Sequence, residues 1–147
     1  MITDVKASAG RCFDMARDLD LHLESMAETG ERAIGGKTSG LIGLDEEVTW
    51  EARHLGFRQR FTSRITRFER PSHFRDEMVR GAFKSFVHDH YFEDRGDVTA
   101  MRDVLRFESP FGVLGRIVDR VFMARYLGRL LTARNEAVKK AAERAAT

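Results

Sequence analysis

Between Glu31 and Glu108 apolar residues recur at every second position, and outside that window they recur at helical spacing. Val48, Trp50, Ala52 and His54 alternate with the polar residues Glu47, Thr49, Glu51 and Arg53. Phe61, Ser63 and Ile65 alternate with Arg58, Arg60, Thr62 and Arg64. Successive strand residues point to opposite faces. The alternation therefore predicts half-buried antiparallel strands over 47–54, 57–68, 74–83, 85–94 and 99–108. Leu55-Gly56 and Arg95-Gly96-Asp97 read as hairpin turns, and Pro71 and Ser109-Pro110 as strand ends. Ala33 and Ile34 lead into the glycine pair Gly35-Gly36.

Both flanks are helical. Ile2 to Ala7 reads as a short strand, after which Ser8 is an N-cap for a helix carrying Cys12, Phe13, Met15 and Ala16. Asp18 or Asp20 caps a second short helix with Leu21, Leu23 and Met26. Beyond Gly112, Leu114, Ile117, Val118, Val121, Ala124, Gly128, Leu131, Asn135 and Val138 mark one side of a helix, with Met123, Leu127 and Leu130 on the other. This predicts one helix of about thirty residues, apolar nearly all round in its middle and so buried on more than one side. Gly128 costs about 1 kcal/mol in a helix interior relative to alanine, which points to close packing or to room for a ligand beneath. The order of elements is α+β: an antiparallel sheet with helices on one face, leaving a cavity between a curved sheet and the long helix.

The length of 147 residues fits a single domain spanning 1–147. Cys12 is the only cysteine, so no internal disulfide forms. No apolar run approaches a bilayer span and the N-terminus lacks a signal-peptide pattern, so a cytoplasmic location is the expectation. Net charge is +2, but from Val113 onward eight basic residues face three acidic ones. A basic C-terminal helix suits an acidic partner, nucleic acid or anionic lipid; the bland reading is a solvated face. No nucleic-acid motif supports the sharper reading, and no nucleic-acid partner is expected.

The most informative pattern is His88-x-His90. Phe86, His88, His90 and Phe92 share a strand face that is apolar at both ends with imidazoles between. Alternation places Trp50, His54, Phe61, Phe74, Asp76, Met78, Arg80, Met101, Asp103, Leu105 and Phe107 on the same concave side, with Val121 and Gly128 on the helix above. Apolar walls with a few convergent polar groups are what a small-molecule site needs.

Several segments carry a family likeness: 12–18, 47–54, Phe68-Glu69-Arg70-Pro71, 73–76, 78–81, 88–93, Thr99-x-Met101-x-Asp103 and Ser109-Pro110-Phe111-Gly112. They resemble the SRPBCC superfamily of START domains, Bet v 1-like proteins and polyketide cyclases, above all small bacterial ligand-binding members. The resemblance covers nearly the whole chain and implies a helix-grip fold. It departs from the usual pattern in its short first strand.

Three readings compete. The first is a binder of a hydrophobic or amphipathic small molecule in the cavity. The second is a cyclase- or dehydratase-like enzyme in which His88 or His90, oriented by Asp103, moves protons while Arg80 stabilises an anion. The third is a homodimer formed through Met123, Leu127 and Leu130. In the bland alternative, the same His, Asp and Arg residues form an internal charge network, since buried charges are normally paired. His88 and His90 with an Asp, and His54 as a third donor, can ligate a metal. The strong metal spacings are absent and Arg80 would repel a cation, so neither metal nor cofactor is expected.

Overall fold

The computed structural model describes residues 1–144. The chain runs β1 (Ile2–Val5), α1 (Ala9–Ala16), α2 (Leu19–Ser25), a single 3₁₀ turn (Ala27–Thr29) and β2 (Arg32–Gly36). It continues through β3 (Glu47–His54), β4 (Phe57–Glu69), β5 (His73–Arg80), β6 (Ser85–Asp94) and β7 (Thr99–Glu108). It ends in α3 (Gly112–Val118), a π-helical turn (Asp119–Met123) and α4 (Ala124–Arg144). The seven strands form one antiparallel sheet in the order β1-β7-β6-β5-β4-β3-β2. The short helices and α4 pack on one face of it, which is the helix-grip arrangement.

Local chemistry accounts for the elements. The Ser8 side chain accepts from the Arg11 N–H and starts α1, and Asp18 accepts from the N–H groups of Asp20 and Leu21 and starts α2. Leu55 and Gly56 both have positive φ, 53° and 83°, as a two-residue hairpin turn requires. The core is aromatic: Phe13 on α1 is fully buried and meets Phe68, Phe74 and Phe92 edge-on at 5.2, 5.2 and 5.5 Å. That geometry adds about 0.5–1.5 kcal/mol per pair beyond burial.

Two register shifts redirect side chains. Between Ile65↔Asp76 and Arg67↔Arg75, β4 holds one extra residue, Thr66, so Phe68 rejoins the buried face with Ile65. Between Ser63↔Met78 and Thr62↔Arg80, β5 holds the extra residue Val79. A bulge places two residues opposite one and flips the subsequent residues to the other face. Arg80, expected on the concave side, is therefore exposed and paired opposite Thr62. Thr62 in turn shares a hydrogen bond with Thr49, away from the cavity.

The expected single long helix is interrupted. The π turn at Asp119–Met123 inserts an additional residue into the helical phase. Residues before and after it consequently fall on different faces. Leu114, Ile117, Val118 and Val121, expected to face the sheet, are at least half exposed. Met123, Leu127 and Leu130, expected on the far side as a dimer seam, face the sheet instead.

Candidate functional site

A cavity of about 250 Å³ lies between the sheet and α4. Its apolar walls are Val48, Trp50 and Ala52 from β3, Phe61 and Ile65 from β4, Phe74 from β5, Phe86 from β6 and Leu105 from β7. Met123, Leu127, Leu130 and Leu131 close it from the helix side. His22 on α2 lies against Trp50 with ring centroids 4.5 Å apart. At one side β3 is joined to α4: the Tyr126 hydroxyl and His54 Nδ1 share a hydrogen bond of 2.7 Å. Burial pushes the His54 pKa down and the Tyr126 pKa up, so both stay neutral at neutral pH.

The polar end is built where β5, β6 and β7 run side by side. Asp76 is paired opposite His88, and His90 opposite Asp103. His90 Nε2 lies 2.9 Å from Asp76 Oδ2 and its Nδ1 lies 3.0 Å from Asp103 Oδ1. Both ring nitrogens of His90 thus lie against carboxylate oxygens. His88 donates from Nε2 to Asp103 Oδ1 at 2.9 Å. Its ring centroid is 3.8 Å from that of His90, and His90 stacks on Phe74 at 4.2 Å.

Asp103 is the hub. Asn135 Nδ2 donates to its Oδ2 at 2.7 Å, and Arg134 Nη1 lies 3.8 Å from its Oδ1. Burial alone would raise the Asp103 pKa. Hydrogen bonds from His88 and His90, with the charges of His90 and Arg134, outweigh burial and hold it far below the usual carboxylate range. Asp76 behaves alike: burial is opposed and overcome by the His90 hydrogen bond and the neighbouring cationic charge. His88 goes the other way. Burial, then the charge of His90, push its pKa down to about 4 against the pull of Asp103. At neutral pH His88 is thus a neutral imidazole whose Nε2–H is committed to Asp103, leaving the Nδ1 lone pair as an acceptor.

Of the residues picked out from sequence, Trp50, His54, Phe61, Phe74, Asp76, Phe86, His88, His90 and Leu105 line the cavity. Asp103 stands behind the histidines and Met101 lies in the core, neither lining the cavity. Met78 packs with Phe61 beneath Gly81, and Phe107 packs edge-on against Phe83 at 5.7 Å. Arg80 and Val121 are exposed, for the bulge and π-turn reasons above. Gly128 does not line the cavity, and a Cβ there would meet nothing within 4 Å. The cation beside the cluster is Arg134, whose Nη2 also donates to the Ala16 carbonyl at 2.5 Å. Alternation and motif spacing do not point to Arg134, Tyr126 or Asn135 as site residues. An arginine falling in the apolar stripe Leu127, Leu131 and Val138 was the available signal.

Asp76, His88 and His90 each present one donor atom within 4.8 Å of the others. Two imidazoles and a carboxylate are a donor set that suits zinc or iron. In this arrangement, however, both His90 nitrogens are already engaged by carboxylates, and Arg134 supplies a nearby positive charge.

Residues 3–143 match the family described as polyketide cyclase / dehydrase and lipid transport. The chain belongs to this family. No curated protein sequence matches it. Solved structures similar to this family member include TTHA0849 from Thermus thermophilus, at a TM-score of 0.78 and 15% identity over 100% of this chain and 97% of that one. A START superfamily protein from Mycobacterium smegmatis aligns at 0.71 and 16% identity over 98% and 95%. A Thalictrum flavum norcoclaurine synthase point mutant, in complex with a transition-state analogue, aligns at 0.72 and 12% identity over 100% and 94%. At these identities the likeness extends to the fold alone.

Proposed function

We propose that this protein binds a hydrophobic or amphipathic small molecule between the sheet and α4. The molecule's apolar body lies against the Trp50, Phe61, Phe86 and Leu127 walls, and a hydrogen-bonding group meets the Asp76–His88–His90 cluster. The observation that carries this reading is the juxtaposition itself: one apolar cavity ending on three polar residues whose charges are compensated from behind. Binding sites are mostly apolar with a few fixed polar groups. A compensated cluster offers those groups without an unpaired buried charge. Native mass spectrometry of the purified protein tests the reading. A one-to-one adduct lost on denaturation is expected. An apo mass, together with failure to take up any apolar probe, would remove it.

A second reading is favoured by one further observation. A neutral imidazole, His88, sits at the cavity wall beside His90 with the Asp103 carboxylate behind it. A neutral imidazole backed by a carboxylate can serve as a general base. On this reading His88 accepts a proton from the bound molecule through Nδ1, and the imidazolium so formed keeps that proton while the Asp103 carboxylate on its Nε2–H stabilises it. His88→Ala is then expected to abolish turnover of a bound substrate while binding persists; unchanged turnover would rule the reading out.

A further inference from the structure

The surface beside the cavity is apolar and basic at once. Phe111, Val113, Leu114, Ile117, Val121 and Phe122 are all at least half exposed, Phe111 at 76% and Leu114 at 75%. A helix on a globular protein ordinarily buries an apolar stripe, yet the only buried residue of α3 is Gly115. The β3–β4 hairpin adds Leu55 and Phe57, the latter 72% exposed. The hydrogen bond between Tyr126 and His54 brings that hairpin to the start of α4. Leu55 on the hairpin and Met123, next to Phe122, both line the cavity, so the exposed apolar surface runs into its rim.

The charges there are mostly positive, with Glu31 the acidic residue in the cavity lining beside His54 and Tyr126. Residues 53–60 contain three arginines and no acidic residue, and residues 111–131 contain four arginines against one aspartate. Arg53, Arg58, Arg116, Arg125 and Arg129 are exposed.

We propose that this rim is a lipid-docking surface, with α3 and the β3–β4 hairpin seating the cavity mouth on an anionic membrane. Exposed apolar patches of this kind mark interaction surfaces. Apolar residues interleaved with arginine favour the headgroup–acyl boundary, where apolar burial and attraction to anionic lipid act together. A second copy of the chain fits less well, because a two-fold contact places the same patch on itself and would set arginines against arginines. Among the described residues no helix is long and apolar enough to cross a membrane, so the attachment is interfacial. The proposal does not depend on what occupies the cavity.

Co-sedimentation with vesicles tests it. The protein is expected to pellet with mixed phosphatidylglycerol–phosphatidylcholine vesicles, weakly or not at all with phosphatidylcholine alone, and less as salt rises. Each basic residue at an anionic surface is worth a factor of about five. Arg125→Gln with Arg129→Gln should therefore weaken binding about 25-fold, and Phe111→Ser with Leu114→Ser and Ile117→Ser should abolish it. These side chains are exposed, so circular dichroism should show both variants folded, with any cavity adduct retained. Absence of binding to the anionic vesicles at low salt would overturn the proposal, as would undiminished binding by the triple variant. So would a dimer in sedimentation velocity that the triple variant dissociates, since the patch would then belong to a second copy.

Discussion

Acidification should destabilise the protein through His88 before its carboxylates protonate. His88 is depressed to about 4 when folded and titrates near 6.5 in an unfolded chain. A group with a lowered folded pKa contributes stability that is intact above its unfolded pKa and is lost as pH falls toward the folded value. Between these limits the unfolded state binds the additional proton, and stability falls with pH. A gap of about 2.5 units corresponds to about 3 kcal/mol, of which roughly 2.5 kcal/mol accrues by pH 4.5. His54 is also lowered and adds in the same direction. The perturbation that isolates His88 is His88→Gln, which keeps an N–H donor for Asp103 and cannot titrate. Urea unfolding of both proteins at pH 7.5 and pH 4.5, followed by circular dichroism, is the assay. The wild type should lose about 2.5 kcal/mol more than the variant over this interval. Equal losses in the two proteins would refute the account of His88 as a buried neutral imidazole.

Asp103→Asn should be far more costly than its shape suggests, because it leaves His90 and Arg134 without their shared anion and faces three donors with one amide oxygen. A loss of about 3–5 kcal/mol is expected, read as the shift in the urea midpoint at pH 7. Arg80→Ala should change stability by no more than about 0.5 kcal/mol and leave probe uptake unaltered, since Arg80 is exposed and outside the cavity. Gly128→Ala should stabilise the protein by up to about 1 kcal/mol in thermal melts, because a Cβ there meets nothing within 4 Å.

The sheet was legible in the sequence because burial of one face imposes a period of two, and the hairpin turns carry their own glycine signals. The strands over 47–54, 85–94 and 99–108 coincide with β3, β6 and β7. The bulge at Val79 was not legible. A single added residue leaves no local signature, and extending Phe74, Asp76 and Met78 by alternation places Arg80 on the wrong face. The π turn misled in the same way: a helical period read through Asp119–Met123 joins two faces that the structure separates. A single helical period puts Val121 and Gly128 over the cavity and Met123, Leu127 and Leu130 away from it, whereas in the structure the latter three line it. Asp76, His88, His90 and Asp103 were legible as a cluster because all four lie on adjacent strands at even spacing. Arg134 and Asn135 come from an element remote in sequence, so only three-dimensional packing brings them to Asp103.

The central claim is that the space between sheet and α4 takes up an amphipathic molecule. Titration with the fluorescent probe 1-anilinonaphthalene-8-sulfonate, comparing wild type with Leu127→Trp, tests it most directly. Leu127 lines the cavity, and a tryptophan there would take up part of its space and block its middle. Saturable one-to-one binding by the wild type, lost in a folded Leu127→Trp variant, is the result predicted. Equal binding by both proteins, or no saturable binding by the wild type, would contradict the claim.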